Sequence, residues 1–293
     1  HQMNNVPVVP RVEVNIHEID KFESEDDFIG LSVDLLIEAG GYVCAAASIM
    51  PGEGEKWNSD QAVIGGNFVR LYKLISALLD QTCQRRREIS FMLARMAFEC
   101  IVNLRYIIKN LSPELLFSYK AYSLKHEKKL LEKIRENIQR RNGDELPIEK
   151  RMIESIFRSF RESDISPEEI KPKELRNWGD KNIYERADDV GLSEAYLAAF
   201  GGPSHGIHGN WQDLLEYHLI SEGDGLFSPN LDWRRPRPQY LNVVSLHSAE
   251  VVEGFVRELG FEEIQGLIKN LNDLQERILI LDKAHEKWLA GNA

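Results

Sequence analysis

The chain of 293 residues carries 36 Lys or Arg against 47 Asp or Glu, a net charge of −11, and its hydrophobic content of 43% is that of an ordinary globular protein with a sizeable core. So acidic a balance excludes steering of nucleic acid or anionic membrane by the molecule as a whole, leaving only local basic patches for that purpose. Cys44, Cys83 and Cys100 lie far apart without a C-x-x-C pair, which excludes a thiolate zinc site or a disulfide scaffold and fits a reducing compartment.

Residues 1–22 hold prolines and valines and are expected to form an extended N-terminal arm, with a single period-2 pattern at Val6 to Val14 as its only strand signal. Ser24, followed three residues on by Asp27, predicts a helix start, and Pro51-Gly52 stops that helix near Met50. Its apolar run from Tyr42 to Met50 is shorter than the roughly 18 residues of a membrane span. No basic stretch precedes an apolar one in the first residues, so no leader is expected and the reading is cytoplasmic, without a membrane partner.

Leu71, Leu74, Ile75, Leu78 and Leu79 repeat at helical spacing over about 59–80, and a further helix is predicted over about 84–110. Ser112-Pro113-Glu114 opens another, ended by Asn142-Gly143, and Pro147 opens the next. Short helical pieces are expected over 162–182. Ser193 caps a short helix reaching Phe200, and another runs from about Trp211 to Leu219. Residues 221–238 read as a loop rich in Gly, Pro and Arg, followed by two C-terminal helices over about 240–259 and 262–290. The fold class is therefore all-α, one multi-helix bundle-like domain over 23–293 behind the arm of 1–22.

Two polar clusters interrupt this pattern. On the apolar helix FMLARMAFECIVNLRYII, Arg95 and Glu99 stand four residues apart, on one face with Met92, Val102 and Tyr106. Burying such charges costs several kcal/mol per ion unless they find partners, which points either to a structural ion pair or to a ligand pocket. The second cluster is FGGPSHGIHGNW, with Ser204 four residues before His208 and Asn210 as a candidate helix cap. His208 is read as facing inward because Ile207, Trp211 and Leu214 follow at apolar spacing. His205, His208, Glu216 and His218 do not form the H-E-x-x-H or E-x-x-H patterns of zinc and di-iron sites, so no metal or other cofactor is expected. P-loop and G-x-G-x-x-G motifs are absent from the sequence.

Arg95-x-x-x-Glu99, Asn103-Leu104-Arg105-Tyr106, Tyr196 and Ser204-x-x-x-His208-Gly209 together resemble a large, mostly bacterial all-helical family classed as a domain of unknown function, over roughly residues 60–220. That resemblance implies a helical fold and no particular activity. A looser likeness is to the helical ribonucleases of the HEPN type, which carry an arginine four to six residues before a histidine on one helix. Here no arginine precedes His205 or His208 so closely, and Arg95 would have to act from another helix.

If the groups converge, His208 serves as general acid or base, Arg95 stabilises phosphoryl charge, Glu99 orients Arg95 or holds a proton, and Ser204 fixes the imidazole tautomer. Those catalytic roles suit metal-independent RNA cleavage by an effector of the antiviral-defence kind. Residues 119–161, with 12 Lys or Arg against 7 acids, and the trio Arg234, Arg235 and Arg237 are candidate phosphate tracks. Two alternatives stay open: a non-enzymatic scaffold, homodimeric or paired with another subunit through Leu267, Leu271, Leu274, Ile278 and Leu281, and a sensor of a small anionic ligand.

Overall fold

The computed structural model describes residues 8–50, 56–173, 175–201, 209–260 and 265–292, with backbone alone over 198–201. It is all-α apart from one small hairpin. In the arm, no strand forms over 8–15, because Val8 to Asn15 pair with no neighbouring strand; Val6 lies outside the described residues. The arm instead lies along the helices, ending in α1 (Ile16–Ile19). Val9 packs so closely on Gly41 that a Cβ there would sit 2.8 Å from it.

Helix α2 (Glu25–Ser48) starts where Ser24 predicts, its Ser24 N–H donating to Asp27 Oδ2 at 2.9 Å. Helix α3 (Ser59–Cys83) is capped by Asn58, whose side chain accepts from the Asp60 and Gln61 N–H groups. A tight turn with Arg85 at φ 58° reverses the chain into α4 (Arg87–Lys109). Next come α5 (Pro113–Arg140) and α6 (Pro147–Glu162), separated by the left-handed Asn142 and Gly143. After two short 3-10 turns the chain forms α7 (Ile183–Asp189), which the sequence reading did not assign, and α8 (Ser193–Gly201). The three-residue α9 (Trp211–Asp213), capped by Asn210, runs into a π turn over Leu214–His218.

Part of the loop expected over 221–238, and Leu219, expected to end a helix, instead form a hairpin: strands β1 (Leu219–Gly223) and β2 (Leu226–Pro229) pair antiparallel. Asp224 and Gly225 both take positive φ, the conformation that a two-residue hairpin turn demands and that Asp-Gly supplies most readily. Helices α10 (Pro238–Leu259) and α11 (Gln265–Gly291) complete the chain.

The main core is shared by α2, α3, α4, α10 and α11, with α7 laid against α4. Leu271, Leu274, Ile278 and Leu281 are fully buried in it, so this stripe is intramolecular core. A smaller cluster joins the second half of α5 to α6 around Leu131, Ile134, Ile156 and Phe160. Helices α2 and α3 are each long and apolar enough, by length and composition alone, to cross a membrane, which the run-length reading did not register. Their most apolar windows are 56% and 50% buried against other helices. Within α2 the carboxylate of Glu38, fully buried, is clamped by two nitrogens of Arg277 at 2.6 and 2.7 Å.

Candidate functional site

Arg95 lies on the face of α4 that meets α10, and the two helices run parallel. Phe91 packs edge-on against Tyr240 (5.3 Å between centroids), Phe98 against His247 (5.7 Å), and Arg105 pairs with Glu250 at 2.7 Å. Each step along one helix is matched by a step in the same sense along the other. Glu250 also binds His247 Nδ1 at 2.8 Å. Burial alone would raise its carboxyl pKa, but His247 and Arg105 outweigh it and hold the group below the usual range.

Parallel packing brings the N-termini of both helices to one end, and there they frame an open pocket of about 370 Å³. Its polar lining is Arg87, Arg95, Arg237 and Gln239; Phe91, Phe98, Tyr240, Val243 and Val244 are among its apolar lining, and Ala195 brings α8 to it. Arg87 is the first residue of α4 and Arg237 the N-cap of α10. Cations oppose the positive end of a helix dipole, so two arginines at two converging N-termini make a strongly electropositive mouth. Glu216 offsets part of it, at 3.6 Å from Arg87, and Glu88 lies in the first turn of α4. The first turn of α10 contains no acid.

Local structure explains how Arg237 arrives. The Arg87 N–H donates to the Arg234 carbonyl at 3.0 Å, and the Arg234 N–H donates to Glu88 Oε1 at 3.3 Å. These bonds pin the segment after the hairpin onto the start of α4. Of the basic trio, Arg237 faces the pocket, Arg235 pairs with Asp26 at 3.1 Å and Arg234 lies 3.9 Å from Glu216. Desolvation pushes the Tyr240 hydroxyl up to about 12, with Ser90 and Thr82 beside it pulling the other way.

Glu99 faces a second environment behind the pocket. Its negative charge favours the charged form of Arg186, a buried guanidinium 3.9 Å over the Trp178 ring, whose pKa burial lowers. Arg186 also donates to the Lys181 and Trp178 carbonyls at 2.8 and 3.3 Å. Tyr196, on α8, senses both Arg95 and Glu99; burial raises its pKa first, Arg95 lowers it and Glu99 raises it. Arg95, Glu99 and Tyr196 therefore lie close enough to act on one another electrostatically.

Ser204, His205 and His208 lie outside the described residues. Two of the apolar neighbours expected to turn His208 inward are themselves at the surface: Trp211 is 56% exposed and Leu214 38%. The apolar spacing of Trp211 and Leu214 therefore serves the surface, where Trp211 packs edge-on against Phe227 of the hairpin. Glu216 faces Arg87, and His218 lies 3.3 Å from Asp213. Among the described residues no three His, Cys, Asp or Glu side chains gather as metal ligands. The pocket's guanidinium and amide groups are partners for an anion.

The family of unknown function DUF5677 matches residues 61–226, more than half of the chain. The chain belongs to this family. No curated protein and no solved structure matches it. The family segment holds Arg87, Arg95, Glu99, Arg186, Tyr196, Ser204 and His208, whereas Arg237, Gln239 and Tyr240 lie beyond its end. Sequence reading missed Arg87, Gln239 and Tyr240 as pocket residues. One signal was available: the triplet Arg85-Arg86-Arg87 opens a helix, where an acid is the electrostatically favoured residue.

Proposed function

We propose that this protein is a metal-independent RNA-cleaving effector whose phosphate-binding half is the Arg95 pocket. The observation that carries the reading is the convergence of Arg87, Arg95 and Arg237 with two helix N-termini on one open cavity. Three guanidinium groups match the charge that builds on phosphoryl oxygens during in-line displacement. In the proposed reaction the 2′-oxygen attacks phosphorus, His208 accepts its proton, and the bond to the 5′-oxygen breaks, that oxygen taking a proton from water. Ser204 holds the His208 tautomer, while Glu99 sets the electrostatics behind Arg95 through Tyr196 and Arg186. The proposal includes a cytoplasmic location and no membrane partner, for which the charged pair buried inside α2 is support.

The test is cleavage of single-stranded RNA in excess chelator. Wild type is expected to cut, and Arg95→Ala and His208→Ala to lose at least about a hundredfold in rate, with His208→Ala leaving the melting temperature nearly unchanged. Equal rates for wild type and His208→Ala would remove the catalytic reading. A second reading, a sensor that binds a small anionic ligand without cleaving it, is favoured by the largely apolar wall behind the arginines. A ligand-induced rise in melting temperature without RNA cleavage would favour it.

A further inference from the structure

The β1–β2 hairpin is an element that does not cover itself. Among the described residues no third strand pairs with it, and no residue of either strand is buried. A two-stranded hairpin alone is at best marginally stable in water and needs a further strand or a helix against it. On one face Phe227 meets Trp211 of α9, and both rings remain exposed. Ile220 pairs with Ser228, two residues from Leu226, so Ile220 and Leu226 share the other face, and both are exposed as well. With the exposed Leu214 and Leu215 of the adjoining π turn, these six side chains present roughly 600 Å² of apolar surface, as much as the largest patch on an ordinary monomer.

The two edges of the hairpin are not equivalent. The Asn230 N–H donates to the His218 carbonyl at 2.9 Å, which makes those residues a hydrogen-bonded pair. Such pairs alternate along an antiparallel ladder, so Ile220 and Ser228 form the next one, while Leu219, Ser221, Phe227 and Pro229 turn their backbone groups outward. On the β2 edge the outward position of Pro229 carries no N–H, which closes that edge to pairing there. On the β1 edge Leu219 and Ser221 each turn out both an N–H and a carbonyl, and the bulge between Ser221 and Gly223 ends this straight stretch.

We propose that the hairpin is a self-association surface, on which β1 pairs antiparallel with β1 of a second copy about a two-fold axis at Ile220, giving a four-stranded sheet. Leu219 then exchanges both backbone bonds with Ser221 of the second copy, and the reciprocal pair does the same. Ile220 stands opposite Ile220 of the second copy, and His218 opposite Glu222, so no like charges meet. An axis at Ser221 would instead set Ile220 against Glu222, and one at Leu219 would set it against His218. A two-fold interface has to be self-complementary, and this register makes the edge so. The two apolar surfaces together amount to about 1,200 Å², the lower end of a stable interface. A foreign strand would find the same edge open, but a second copy brings Trp211, Ile220 and Leu226 of its own to cover these. The leucine stripe of α11 is core and leaves this role to the hairpin.

The test is sedimentation equilibrium of the full chain from about 1 to 100 μM, where the wild type is expected to reach twice the mass of one chain. Ser221→Pro removes an outward N–H that the hairpin itself does not use, and Ile220→Lys sets two like charges face to face at the axis. Each should weaken dimerisation at least about tenfold and leave the far-UV circular dichroism unchanged. A third variant, Ile220→Cys, is made in a Cys83→Ser background because Cys83 is an exposed native thiol. It should cross-link into a disulfide dimer on mild oxidation, since opposed residues at a non-hydrogen-bonded position lie within disulfide reach. That variant reads the register directly if the other two do not fold. A wild type that stays monomeric throughout the range, a dimer undiminished in both edge variants, or an Ile220→Cys variant without a cross-link would overturn the proposal.

Discussion

Asp189 shows how much one residue's surroundings matter. Its carboxylate is contacted by Lys181 and by Lys109, the latter at 2.9 Å, and these bonds hold its pKa at about 2 against an ordinary 3.8. A depressed folded-state value means the stabilisation is fully present above pH 4 and is lost as pH falls toward 2. Asp189→Asn should therefore flatten the acid limb of a plot of urea midpoint against pH between 4 and 2, while a variant with wild-type slope would show that the lysines contribute nothing. Neither lysine was legible as its partner. Lys181 stands eight residues before Asp189, but Lys109 lies eighty away, at the end of α4. Arg95 and Glu99 were legible, because charges on an otherwise apolar helix conflict with the pattern around them. Gln239 was not, because a glutamine in the first turn of a helix conflicts with nothing until its oxygen is seen to be buried.

At the scale of elements, caps and stops were read well where the local chemistry is self-contained. Ser24 and Asp27, Ser112 with Pro113, Asn142-Gly143 and Asn210 all act as their side chains or φ angles require. The hairpin was missed because its strands are short and their side chains largely exposed, which leaves no alternation of apolar and polar residues to detect. The start of α10 is an element built against its own helix. Arg237 is the N-cap, its backbone is extended (φ −123°, ψ 145°), and it makes no capping hydrogen bond from its side chain. Arg237→Asp should supply a good cap and a favourable charge, stabilising the protein by about 0.5–2 kcal/mol. The same variant should lose phosphate affinity, since a carboxylate would stand at the mouth of the pocket. Calorimetry paired with thermal unfolding checks this opposition; a variant that binds phosphate as wild type does would place the anion elsewhere.

At the scale of the whole molecule, the Glu38–Arg277 pair joins three distant pieces of chain. Arg277 of α11 clamps Glu38 of α2 and donates to the Val12 carbonyl at 2.8 Å, while the Val12 N–H donates to Glu38 at 2.8 Å. Arg277 also binds Asp273 at 2.8 Å, and Asp273 binds Arg11 at 3.0 Å. The N-terminal arm is thus held through its backbone at Val12 and its side chain at Arg11. Arg277→Met should cost about 3–5 kcal/mol by leaving Glu38 buried without its counter-ion, and Glu38→Leu combined with Arg277→Met should recover most of it. Urea denaturation of the single and double variants measures both, and a single variant as stable as wild type would show that water reaches Glu38.

Fold class, the positions of most helices, several caps and the two charges on α4 were determined by local sequence. Helix periodicity, turn residues and capping groups act over a few positions and are written in adjacent letters. Tertiary structure alone decided that α4 and α10 run parallel, that their N-termini meet, and that Arg87, Arg95, Arg237 and Gln239 share one cavity. An apolar stripe specifies which face of a helix is covered and not which helix covers it. The contact from Arg105 to Glu250 spans 145 residues, and no local pattern encodes a pairing across that distance.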